Sequence, residues 1–188
     1  MTQNVKDQLI NIIKRRSFST GKEMKLASGR SSNFYFNMKP TMMHPEGAAL
    51  IASLILDAVG EGRAELIGGL EMGAVPLASA VCAISHCENR PLTAFFVRKQ
   101  VKQHGTQTLI EGLAPTESMT DKRVIILEDV TTTGGSALKA VDIVRAAGGR
   151  VIEVITVVDR LEGAQAAFRS AAIEFTAILT ADDFKGQT

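Results

Sequence analysis

The 188-residue chain predicts an α/β fold, a doubly wound and mainly parallel sheet, and three observations carry that expectation. Short apolar runs recur at 65–70, 92–97, 124–127, 151–158 and 173–179. Segments of helical periodicity stand between them, so a strand–helix–strand order repeats. Runs such as VIIL and VIEVITVV lack a polar face, and strands of that kind must be covered on both sides, the condition of a parallel sheet flanked by helices.

In chain order, VKDQLINIIKRR sets Val5, Leu9, Ile12 and Ile13 on one helical stripe. NFYFNM reads as a strand. Pro45 opens a helix over 45–59, because a missing N–H costs nothing in the first turn. ELIGGL is a short strand and VPLASAVCAISHC a helix; LTAFFV and VIIL are strands. SALKAVDIVRAAGG is a helix closed by glycine, VIEVITVV a strand, and EGAQAAFRSAA a last helix before the run IEFTAIL. No repeat, low-complexity tract or linker divides the sequence, so one domain over 1–188 is expected.

Charge narrows the function classes. With 21 basic and 20 acidic residues the net charge is +1, so nothing global recruits nucleic acid or an anionic membrane. No apolar run reaches the roughly 18 residues of a membrane span, and the start MTQNVKDQ lacks the apolar core of a secretory signal. A soluble, cytoplasmic protein with no membrane partner is expected. Cys82 and Cys87 are then reduced thiols on a helix flank; even with His86 between them, no second cluster completes a zinc site.

Ligands of doubly wound sheets sit beyond the carboxyl ends of the strands, which directs attention to 69–73, 98–106, 128–136 and 159–163. In the third of these, Glu128 and Asp129 precede Val130 and the loop Thr131, Thr132, Thr133, Gly134, Gly135 and Ser136, with a helix starting at about Gly135. Free N–H groups at a helix start, hydroxyl donors and glycines form a monophosphate cradle. The triphosphate-loop pattern is absent, and GGLEMG does not match the dinucleotide fingerprint. Carboxylates suit hydroxyl groups rather than phosphate oxygens, so the acidic pair points to a sugar diol, and a ribose 5-phosphate unit satisfies both halves of the segment. The alternative is that the acids cap the following helix.

The segment VIILEDVTTTGGSALKAV resembles the phosphoribosyl pyrophosphate (PRPP) signature of the type I phosphoribosyltransferases. Three other segments are similar to the orotate-specific members. FFVRKQVKQHGTQTLIEG carries Arg98, Lys99, Lys102 and His104; by composition it is either a solvated basic hairpin or a mobile cationic flap over a pyrophosphate leaving group, and the spacing resembles the catalytic flap of orotate phosphoribosyltransferases. MKLASGRSSNFYFNMKP resembles the family's segment over the orotate ring, with Ser28, Gly29 and Arg30 matching its core and Tyr35 and Phe36 its aromatic pair. Ala27 stands where some members carry a substrate-contacting lysine, and Met72, in the pyrophosphate-side loop GGLEMGAVP, replaces another. Arg160, at a strand end, is either a surface ion-pair partner or, by resemblance, the arginine that binds orotate.

The resemblance implies a small N-terminal hood, residues 1–40, on a core of about 41–188. It implies Mg2+-dependent transfer from PRPP to orotate, with Lys99, Lys102 and Asp129 catalytic. The flap, the acidic pair, Val130, the 131–136 turn, Arg160, Tyr35 and Phe36 would bind substrate, Thr132 reaching orotate as well as phosphate. Mg2+ would be held through substrate and water, with no direct protein ligand. A homodimer is implied in which Lys99 and Lys102 act partly in trans. Two rivals remain: a phosphoribosyltransferase for another base, and a PRPP-sensing regulator on nucleic acid, which the near-neutral charge and the complete flap disfavour.

Overall fold

The computed structural model of the chain describes residues 2–25, 31–100 and 108–185. Helix α1 (Thr2–Arg16) leads into a hairpin of β1 (Phe18–Lys25) and β2 (Ser31–Phe36), followed by the single turn α2 (Lys39–Met42) and helix α3 (Pro45–Val59). Then come β3 (Leu66–Leu70), α4 (Ala74–Cys87), β4 (Thr93–Val97), β5 (Ile110–Glu111), β6 (Arg123–Thr131), α5 (Gly135–Ala146), β7 (Arg150–Asp159), α6 (Ala164–Ser170) and β8 (Glu174–Thr180), closed by a 3-10 turn, Ala181–Phe184.

The central sheet has six strands in the order β5-β4-β3-β6-β7-β8. Its pairings are parallel except that of β4 with the edge strand β5. Alternation along β6 makes it doubly wound. Ile125 and Leu127 join Leu9, Ile12, Ile55 and Leu77 on one face, whereas Val124 and Ile126 join Val141, Val144 and Phe168 on the other. Each such fully buried aliphatic side chain contributes about 1.5–3 kcal/mol, so both helical layers are held by burial.

The expected elements are present, with four additions: β1, α2, β5 and the closing turn. One boundary moves in a way that matters. β6 continues past Leu127 to Thr131, because its backbone stays paired with β7 through Glu128↔Thr156 and Thr131↔Asp159. The acidic pair therefore stands on a strand, not in a loop.

The hairpin is fastened by aromatic packing. Phe18, Phe36 and Phe184 form a three-ring contact with centroids 4.9–5.4 Å apart, within the range of favourable aromatic pairs. The first strand and the last turn of the chain thus meet on one patch. No helix is long and apolar enough to cross a membrane among the described residues.

Candidate active site

The carboxyl ends of β3 and β6, with Lys99 just beyond β4, converge on two adjoining pockets. The first, about 210 Å3, is walled by Glu128, Val130 and the 131–136 turn. The second, about 260 Å3, reaches from Glu128, Asp129 and Ser136 across to Glu71, Lys39 and Lys99. Glu128 and Ser136 belong to both, so a single extended ligand can occupy the pair.

Backbone geometry shapes the first pocket. Gly134 precedes α5 at φ 86°, and a Cβ there would stand 2.9 Å from the Phe168 ring. Both facts demand glycine. Gly135 is different: a Cβ on it would meet only the Thr133 hydroxyl, at 3.9 Å. Among the described residues no side chain caps α5, so its leading N–H groups are open to a ligand, and the suggestion that the acids cap this helix is set aside. The Thr131 hydroxyl, buried in the same wall, has no partner among the described residues.

Glu128 is only 8% exposed and its Oε2 has no hydrogen-bond partner among the described residues. Burial, reinforced by the charge of and a hydrogen bond with Asp129, pushes its carboxyl up to about 8, while the nearby Lys99 charge pulls it down. Asp129 presses against the Gly73 backbone, where a Cβ would fall 2.5 Å from its Oδ1. The β3–α4 loop and the acidic pair are therefore in close contact, and the Glu71–Met72 peptide within that loop is cis.

The basic segment divides at its root. Lys99 lines its own chain's second pocket, and its backbone is pinned on both sides: its N–H donates to Glu71 Oε1 at 2.8 Å and its carbonyl accepts from Lys139 Nζ at 3.2 Å. The expectation has Lys99 acting partly in trans; within the single chain it lines its own pocket. Arg98 stands apart from the pockets of its own chain. Its guanidinium lies 3.7 Å from Glu111 on β5 and donates to the Gln100 carbonyl, and it lines neither pocket. Lys102 and His104, with Ala27, Ser28, Gly29 and Arg30, lie outside the described residues.

Arg160 is 4% exposed. Its backbone N–H bonds to the Thr131 carbonyl, its Nε donates to Glu162 at 2.8 Å, and its guanidinium sits 4.6 Å from the Phe34 ring centroid. It is not the surface ion pair that a strand end alone suggests. Burial also raises the carboxyl of the adjacent Asp159 above its ordinary value. The aromatic pair needs correction: Phe36, 5% exposed, belongs to the core contact with Phe18 and Phe184, while Tyr35 on the other face of the strand is 41% exposed. The aromatic beside Arg160 is Phe34. Alternation puts residues 34 and 36 on one side of β2, a signal present in the sequence, but which side faces inward is decided by the distant Phe184. Lys39 was likewise missed; a lone lysine just after a strand carries no local mark of a pocket.

Comparison with known proteins agrees with this geometry. A model of the phosphoribosyl transferase domain matches residues 42–180. That defines the class: a phosphoribosyltransferase. An orotate phosphoribosyltransferase of Rhodopseudomonas palustris strain BisB18 is 55% identical over 177 residues, 94% of either chain. Another, from Sorangium cellulosum strain So ce56, is 46% identical over 95% of this chain and 92% of its own. The solved Mycobacterium tuberculosis H37Rv orotate phosphoribosyltransferase in complex with PRPP superposes with a TM-score of 0.77 at 35% identity, covering 95% of this chain and 98% of that one. Within the class, the chain belongs to the orotate phosphoribosyltransferase family.

Proposed function

We propose that the chain transfers ribose 5-phosphate from PRPP to orotate, giving orotidine 5-monophosphate and pyrophosphate, a step that builds a pyrimidine nucleotide. The carrying observation is the pair of pockets joined at Glu128, with an uncapped helix start at one end, carboxyl groups in the middle and lysines at the other. The 5-phosphate suits the 131–136 turn, the ribose hydroxyls suit Glu128 and Asp129, and the pyrophosphate suits the space beside Glu71 and Lys99.

The reaction breaks the bond from the anomeric carbon to pyrophosphate oxygen and forms one to the ring nitrogen of orotate, which loses its proton. Oxocarbenium character develops on the sugar, and Asp129 stabilises it from the hydroxyl side, while Lys99, with Lys102 of the flap, offsets charge on the departing group. Orotate carries a carboxylate, and Arg160, fixed by Glu162 and Phe34, is the cation at the β7 end suited to it.

Mg2+ fits this donor set. Among the described residues no three His, Cys, Asp or Glu side chains are grouped to hold a metal, whereas Glu71, Glu128 and Asp129 share a pocket wide enough for water between them and an ion. When bound, Mg2+ would supply positive charge to neutralise the pyrophosphate. The acidic residues would hold its water shell.

The N-terminal hood, the core and the flap work as one domain, in a cytoplasmic homodimer; phosphorylated substrates that do not cross membranes support that location. The test is to follow orotate absorbance with PRPP and Mg2+, then replace orotate by uracil, adenine or hypoxanthine. Turnover of orotate alone is expected; an inert orotate beside a reactive alternative base would overturn the assignment.

A further inference from the structure

The second pocket holds a cation that the scheme above does not use. Lys39 lines it together with Glu71, Met72, Lys99, Glu128 and Asp129. Its ammonium has no hydrogen-bond or ion-pair partner among the described residues. The backbone beneath it is held firmly: Met38 before it and Thr41 and Met42 after it are buried, the Thr41 and Ser17 hydroxyls are 2.6 Å apart, and Arg16 Nε donates to the Pro40 carbonyl at 3.1 Å. Lys39 is therefore a flexible charged arm on a fixed base.

Charge balance says what such an arm meets. Among the described residues the pocket wall carries three carboxyl groups and two ammonium groups, and the exposed tip of the β3–α4 loop, Met72 at 61% exposure, is uncharged. An oligophosphate entering there faces repulsion unless cations on the framework offset it. Lys99 is one of them and Lys39 is the other.

We infer that Lys39 is a catalytic residue that contacts the pyrophosphate moiety of PRPP and stabilises it as leaving group. The electrons of the breaking C–O bond go to pyrophosphate oxygen; Lys39 keeps its proton throughout and acts by charge. In the reverse direction the same ammonium receives free pyrophosphate. The assignment rests on the transfer reaction proposed above.

Titration calorimetry of the full chain with Mg-pyrophosphate, and separately with ribose 5-phosphate, tests it on the parent protein, Lys39→Ala and Lys39→Arg. The alanine variant is expected to bind pyrophosphate about tenfold more weakly, with ribose 5-phosphate affinity held within about twofold and the arginine variant recovering most of the loss. In turnover, KM for PRPP should rise and kcat fall, while KM for orotate stays near the parent value. Pyrophosphate affinity unchanged in Lys39→Ala, equal loss of both ligands in both variants, or a parent protein that does not bind pyrophosphate would each overturn the inference. Failure of the transfer reaction itself shows separately, as a parent protein that binds pyrophosphate but does not consume orotate.

Discussion

Glu128 is held in a position where its charge is disfavoured, and that has a measurable signature. Its folded-state pKa of about 8 lies above the ordinary glutamate value of 4.5, so the folded protein binds this proton more tightly than the unfolded chain. The associated stability is complete below about 4.5 and is lost as pH rises through about 8. Glutamine copies the protonated form and cannot ionise. For the ligand-free protein, the Tm of Glu128→Gln relative to the parent should therefore climb as the buffer moves from about pH 5 to about pH 9; a constant difference across that window would show that Glu128 is not the titrating group. At this scale the sequence revealed the contiguous residues, Glu128 to Ser136, because chemistry packed into nine neighbours is legible without a fold. It concealed Lys39 and Phe34, whose meaning depends on what the hairpin meets, and it set Phe36 against the substrate where the core claims it.

At the scale of elements, the end of β4 is tied to its neighbours by backbone rather than by side-chain ends. Glu71, on the β3–α4 loop, accepts the Lys99 N–H, and Lys139 on α5 donates to the Lys99 carbonyl, so two connections converge on the root of the basic segment. Glu71 thereby positions Lys99 against the acidic pair. Removing it in Glu71→Ala should lower kcat/KM for PRPP about tenfold through misplacement of the lysine, with the thermal midpoint little changed because the bond is exposed. Orotate-absorbance kinetics beside a melting curve checks this, and kcat/KM within about twofold of the parent would exclude the positioning role. The long apolar and periodic segments were readable because burial on both sheet faces imposes pattern on sequence. β5, two residues long, and α2, four, were not, since edge pairing and a single turn leave no period to detect. Strand β6 ran past its apolar stretch for a related reason: backbone pairing with β7 continues through residues whose side chains are polar.

Across the whole molecule, strand order places the functional ends of β3 and β6 side by side although 52 residues lie between the two strands in sequence, among them β4 and β5, which take the outer positions. This reversal of winding between β3 and β6 opens the crevice that the pockets occupy. Within it Lys99 lines the pocket of its own chain, its backbone bound to Glu71 and Lys139, and sharing between subunits is tested at Lys102. A homodimer whose flap crosses over makes a sharp prediction. Lys102→Ala and Asp129→Ala chains are each inactive as homodimers, one lacking the flap cation and the other the sugar contact. In a heterodimer, the Lys102→Ala chain retains Asp129 and receives an intact flap from its partner, restoring one site of the two. Equal mixing with free exchange puts half the chains' dimers in that form, so about one quarter of the parent activity should return. Lys102 acting within its own chain gives no recovery in verified heterodimers, because both defects then fall on separate, individually dead sites.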